Sequence, residues 1–310
     1  MRYLGELISI GVAFSWTATA LLSEYGSKRM GNLTLNVTRM GIALLFSALL
    51  FWGMTGSPLP AGASTEAFMW MMLSGLVGYV IGDFCLFQCY IIIGSKFGQL
   101  FMTLAPVTAA VMAWLTLGQR ISAMGIVAMM VTLTGIAITV LGRGGDNHHK
   151  VVFNLPLNGM LYAIGAAVCQ GVGLVLSKIG MDHYEATIAT PCEPWLLPFF
   201  ANFFRCVAGI VGFSILLAWR EGFSSLRRNL ADGKSMTTAV LTTIFGPFVG
   251  VGLSLLAVQY TGAGIASTLM ALTPIIIILP AYWIFKQPVT LKSIVGALIS
   301  VAGVSLFFLL

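Results

Sequence analysis

The sequence predicts an all-α integral membrane protein: ten transmembrane helices arranged as two inverted five-helix repeats. Three observations carry this expectation. The chain is 58% hydrophobic and only 8% charged over 310 residues, whereas a soluble domain is roughly one-quarter charged. It therefore lacks the charge to coat a water-facing surface. Its apolar runs are about 20 residues long and do not alternate, which fits spanning helices and not barrel strands. Finally, the chain repeats itself. Gly94–Leu141 aligns without a gap on Gly262–Leu309 at an offset of 168, with Pro106 on Pro274, Gln119 on Gln287 and Gly135 on Gly303.

The expected spans are 4–22, 33–54, 68–91, 98–117, 122–141, 159–179, 196–219, 238–260, 265–285 and 291–310. The first could pass for a signal peptide, since Arg2 precedes it and Ala18-Thr19-Ala20 resembles a cleavage site. However, Gly5, Leu7, Ile10 and Gly11 recur as Gly159, Leu161, Ile164 and Gly165, at an offset of 154. A residue set shared with an internal helix belongs to the mature fold. In the second span Asn36 and Arg39 recur as Asn202 and Arg205; the offset of 166 reflects an insertion between Met181 and Pro198. In the third, Gly78 and Gly82 recur as Gly246 and Gly250, a small-xxx-small spacing that lets helices approach closely in lipid. The fourth and ninth carry Pro106 and Pro274 in mid-span. Each frees a carbonyl one turn back and bends its helix, so the two are candidate hinges. Ser122 and Thr290 are N-caps for the fifth and tenth.

The chain thus divides into a first repeat (1–141), a polar linker (142–158) and a second repeat (159–310). Five crossings are odd, so tandem copies lie in opposite orientations. Inverted repeats are how secondary transporters build alternating access, with the substrate held at the repeat interface.

Ionisable groups inside spans are costly and mark function by default. Arg39 and Asp83 fall at similar depth on neighbouring antiparallel spans, so they are expected to pair, either as a structural bridge or as a site where Asp83 meets a proton or a substrate ammonium. Arg205 matches Arg39, but Val251 stands where Asp83 would recur. Arg205 then either snorkels to the interface or offers its fork to a substrate carboxylate or phosphate. Trp16 and Gln170 occupy matched places in the first and sixth spans. Trp16 is a pocket wall or core, and Gln170 needs a hydrogen-bond partner in a dry place. Tyr79, Gln88, Gln99 and Gln259 are weaker polar candidates.

Other classes fit less well, with a non-transporting membrane assembly subunit kept as the main alternative and an intramembrane enzyme as the lesser one. The net charge of +6 comes from Lys and Arg scattered through loops, so no nucleic-acid partner is implied. The five cysteines show neither a disulfide framework nor metal spacing, and no metal or cofactor is expected. One deep carboxylate without an intramembrane His makes a poor intramembrane enzyme. A non-transporting assembly subunit has no need of an inverted duplication. No Walker loop is present, so ATP drive is not expected.

The matched Pro…Gln…Gly pattern, the ten spans and the five-plus-five duplication resemble the drug/metabolite transporter superfamily, in particular its ten-helix EamA-type members. That family ends its fourth and ninth helices in Leu-Gly-Glu; here the endings are Leu117-Gly118-Gln119 and Phe285-Lys286-Gln287. The family's Trp-Gly appears as Trp16-Thr17. The resemblance implies a cell-membrane exporter or exchanger of small organic metabolites such as amino acids or drugs, monomeric or homodimeric, with protons as a candidate coupling ion. Orientation stays open. One set of helix ends carries Lys28, Arg29, Lys96, Arg143, Lys150, Arg220, Arg227, Arg228, Lys234, Lys286 and Lys292, and the other Arg2, Arg120 and Lys178. The positive-inside rule then puts both termini outside, whereas the resemblance implies both inside.

Overall fold

The computed structural model describes residues 4–60, 62–118, 123–143, 151–153, 155–187, 195–261, 269–270, 272–286 and 289–309. Gln119, Ser122, Cys192 and Gln287, and the side chain of Gln259, lie outside the described residues. In chain order the helices are α1 (Leu4–Met30), α2 (Asn32–Thr55), α3 (Thr65–Ile93), α4 (Ser95–Thr116), α5 (Ala123–Val140), α6 (Leu157–Thr187) and α7 (Leu197–Arg220). A short surface helix, α8 (Ser224–Ala231), leads into α9, which runs as Gly233–Thr243, Ile244–Phe248 and Val249–Thr261. The last two are α10 (Thr273–Phe285) and α11 (Leu291–Leu309). Among the described residues seven helices are long and apolar enough to cross a membrane, and shorter apolar helices accompany them.

Several expectations need correction. The first helix does not stop at Leu22 but runs on to Met30, because a single residue, Gly31 at φ +86°, turns the chain straight into α2. Gly94, also at φ +86°, makes the same one-residue turn between α3 and α4. Only glycine adopts that backbone without a steric penalty. The helical class stands, with one short addition: Leu141–Arg143 and Val151–Phe153 pair antiparallel across the linker. Helix α6 begins at Leu157, two residues inside the expected linker, and runs on past the expected end at residue 179 to Thr187. The charged helix α8 was not expected as an element.

Helices α3 and α9 share a feature that composition does not announce. Each widens into a π segment, Leu76–Asp83 in α3 and Ile244–Phe248 in α9, and the two begin at matched positions of the repeat. Pro247 inside the second lacks an N–H and so cannot complete the α ladder. Such segments recur at functional sites.

The helices pair mainly across the two halves. α1 packs on α9 as α6 packs on α3, and α2 meets α9 as α7 meets α3. α1 touches α10 as α6 touches α4, while α2·α7 and α5·α11 pair matched helices with each other. At the α5·α11 seam the matched glycines make room. A Cβ at Gly135 would stand 2.6 Å from the Gly296 carbonyl, and one at Gly303 would stand 2.9 Å from that of Ala128. This is the close approach by which helices associate in lipid. These pairings exchange when the halves are swapped, whereas the contact of α1 with α3 has no comparable counterpart between α6 and α9 among the described residues.

Candidate functional site

The π segment of α3 ends at Asp83, and this puts its carboxylate against α2 and α6 together. Oδ2 accepts from Arg39 Nη2, and Oδ1 accepts from Gln170 Nε2 at 2.8 Å. Gln170 also donates to the Gly78 carbonyl at 3.2 Å. Arg39 and Asp83 are each 4% exposed. Breaking a pair this deep by deleting one partner costs about 3–5 kcal/mol, because the other charge is stranded.

The pair ends a longer polar run. Arg39 Nη2 donates to Asn36 Oδ1 at 3.0 Å, Asn36 to Asn32 Oδ1 at 2.8 Å, and Asn32 to Gln88 Oε1 at 3.2 Å. The Arg39 guanidinium lies over the Phe87 ring at 4.6 Å. The run therefore leads from the Gly31 turn to the middle of the bundle. Successive helical turns of α2 supply it, through residues spaced by three or four.

Arg205 does not snorkel. It is 9% exposed, and its guanidinium carbon lies over the Tyr79 ring at 4.6 Å from the centroid. The Tyr79 hydroxyl donates to Asn202 Oδ1, and Asn202 Nδ2 donates to the Pro247 carbonyl at 2.8 Å. A Cβ on Gly78 would sit 3.0 Å from Arg205 Nη2, so glycine at this place lets the guanidinium reach the π segment. Among the described residues no carboxylate pairs with Arg205, and its buried Nε has no hydrogen-bond partner.

Trp16 is half-buried on α1, and no hydrogen bond ties it to this cluster among the described residues. Pro106 and Pro274 stand at the first turn of new helical segments rather than inside unbroken helices. Pro106 follows the 3-10 turn Met102–Leu104, and Pro274 opens Thr273–Ile276. Each segment is fastened to the other half: Thr108 Oγ1 donates to the Ala167 carbonyl at 3.1 Å, and Thr273 Oγ1 to that of Ala13 at 3.4 Å. Two cavities stand out, about 290 Å³ beside Tyr25 and Lys234 and about 160 Å³ beside Phe84 and Arg220. Neither is lined by Arg39, Asp83, Gln170, Arg205 or the two prolines.

Sequence reasoning missed Glu24. Asp83 is not the one deep carboxylate, since Glu24 is fully buried. Its Oε1 accepts from Lys28 Nζ at 2.5 Å and its Oε2 from the Ser95 backbone N–H at 2.6 Å. The latter is an orphan donor at the start of α4, where negative charge is favoured. Lys28 also lies over Phe285 at 5.2 Å, so one ion pair joins α1, α4 and α10. A signal was available, because the repeat carries Glu24 and Lys28 onto Lys178 and Asp182, a second (i, i+4) pair with the signs exchanged.

With this geometry in view, the comparisons with known proteins are specific about family and silent about substrate. The chain belongs to the EamA-like transporter family, which matches residues 3–141 and again 157–309. An uncharacterized transporter of Bacillus subtilis (strain 168), YvbV, is 25% identical over 205 residues. That match covers 65% of this chain and spans 59% of the relative's length. A solved crystal structure of a protein at 16% identity superposes with a TM-score of 0.63, covering 100% of this chain and 98% of its own, and so shares the fold. The chain is accordingly a multi-pass membrane protein of a transporter family.

Proposed function

From that membership we propose a secondary transporter of small organic molecules, an exporter or exchanger in the cell membrane. It works by alternating access between two inverted five-helix repeats, so ten helices cross the bilayer. One observation carries this reading: a buried charged cluster sits where the π segment of α3 meets α2 of its own half and α6 and α7 of the other. Intramembrane charges line substrate paths, and broken helices at a repeat interface supply transporter sites. Arg39, Asp83, Gln170 and Arg205 form the binding centre, and Trp16 stands at its edge on α1. Pro106 and Pro274 are the points about which the two halves bend.

Both oxygens of Asp83 are already engaged, by Arg39 and Gln170. This favours a structural or substrate-contacting role over that of a free proton carrier. Uptake of a labelled metabolite pool into proteoliposomes, with and without a proton gradient, tests both points. We expect uptake of part of the pool, and a rate indifferent to the gradient would remove protons as the coupling ion. Failure to move any of the pool under either condition would sink the transport reading. Pro106→Ala and Pro274→Ala should each slow uptake several-fold with little loss of protein; normal rates in both would reduce the prolines to fixed bends.

A further inference from the structure

We propose that Arg205 binds the carboxylate of a small organic monoanion; this deepens the transport reading and rests on it. Arg205 is nine-tenths buried, and a guanidinium cannot shed its charge in a protein. Arg39 spends its charge on Asp83. The only other fully buried carboxylate among the described residues, Glu24, is taken by Lys28 and the start of α4. Tyr79 and Asn202 engage each other. Among the described residues the centre therefore holds one positive charge more than its own side chains neutralise.

The geometry names the counter-group. The Tyr79 ring lies 4.6 Å from the guanidinium carbon, and at the N–H edge Nε is unpartnered. That edge is a planar fork that matches a carboxylate. Gly78, having no side chain, lets Nη2 come up against the π segment of α3. One excess positive charge calls for one negative charge, and a doubly charged phosphate monoester would leave the centre negative. A small carboxylate satisfies both the shape and the charge.

The test uses the full-length protein in detergent. Thermal unfolding is measured in sodium formate and in sodium benzoate against sodium chloride at equal ionic strength. The expected result is a rise in Tm with at least one of the two acids, retained in Arg228→Gln on the exposed helix α8 and absent in Arg205→Gln. No rise with either acid, or an equal rise in Arg205→Gln, overturns the assignment. Arg205→Lys keeps the buried charge and serves if the glutamine variant does not accumulate. It should bind formate about tenfold more weakly, since an ammonium lacks the fork, and undiminished binding is fatal to the proposal. Proteoliposome uptake separates the two readings. Arg205-dependent carboxylate binding in a protein that transports nothing sinks transport and leaves the site. Uptake that survives Arg205→Gln at full rate sinks the site and leaves transport.

Discussion

Arg39 and Arg205 are the same position of the repeat, held in the same manner and left with different chemistry. Each guanidinium lies 4.6 Å from an aromatic ring. Each reaches the π segment of the other half: a Cβ on Gly246 would stand 3.8 Å from Arg39 Nη1, and one on Gly78 3.0 Å from Arg205 Nη2. Each buries an Nε without a partner. The difference is one carboxylate, because Asp83 serves Arg39 while Val251 stands at the matched place in α9. A duplication that kept two charges and one counter-charge made an asymmetric centre inside a symmetric frame. On the proposed transport reading, the two halves could exchange roles but the charged cluster could not be equivalent in both forms.

The largest effect should come from removing that one carboxylate. Asp83→Asn strands Arg39 and should cost about 3–5 kcal/mol, seen as a collapse in membrane yield. Adding Arg39→Gln should restore yield, because the double change leaves no unpaired charge from this pair. A single Asp83→Asn protein that accumulates normally would show that the pair does not hold the fold and would return Asp83 to the list of proton carriers.

A second pair of matched places sharpens the contrast. Glu24–Lys28 is sunk between α1, α4 and α10, whereas in Lys178–Asp182 the side chains are 59% and 52% exposed. Glu24→Gln should cost about 1–3 kcal/mol, the range for weakening a buried hydrogen-bonded charge. Asp182→Asn should leave Tm unchanged, as exposed pairs contribute little. Equal shifts in the two variants would mean that burial does not distinguish them.

Supplying the missing acid is the subtler test. Val251→Asp should give Arg205 the partner that Arg39 has, and it should weaken formate binding about tenfold or more through repulsion of the anion. Formate binding as tight as in the unaltered protein would show that the two halves are not interchangeable at this position. The smallest effect belongs to Asp232, which accepts from Ser235 and from Arg29 at the α8–α9 junction. Its hydrogen bonds to Ser235, and then the Arg29 guanidinium, hold its carboxyl well below the usual carboxylate range. A depressed folded-state pKa gives stability that is complete at neutral pH and is lost as pH falls below about 4. Asp232→Asn should therefore flatten the acid side of the Tm–pH curve slightly, and an unchanged curve would mean that this exposed contact adds nothing.

The repeat offsets made most of this molecule legible before any coordinates. Hydropathy alone marks the spans, because lipid admits only long apolar helices and closed barrels. The same logic flagged Arg39 and Asp83 as partners, since charges at one depth on adjacent antiparallel helices have nowhere else to go. Glu24 escaped because the first span was ended at Leu22, whereas a one-residue turn at Gly31 lets α1 continue as a helix to Met30. The π segments escaped because Leu76–Asp83 has no composition that distinguishes it from ordinary apolar helix.

By itself, then, the sequence determined the membrane class, the duplication and the positions at which charge enters the bilayer. All of these follow from composition and periodicity along one dimension. The tertiary structure decided that α3 meets α6 and α7 of the other half as well as α1 of its own. It also decided that Gln170 closes on Asp83 and that Arg205 turns inward onto Tyr79. Those outcomes depend on which small residues let which backbones approach, and that is settled by packing between segments about a hundred residues apart.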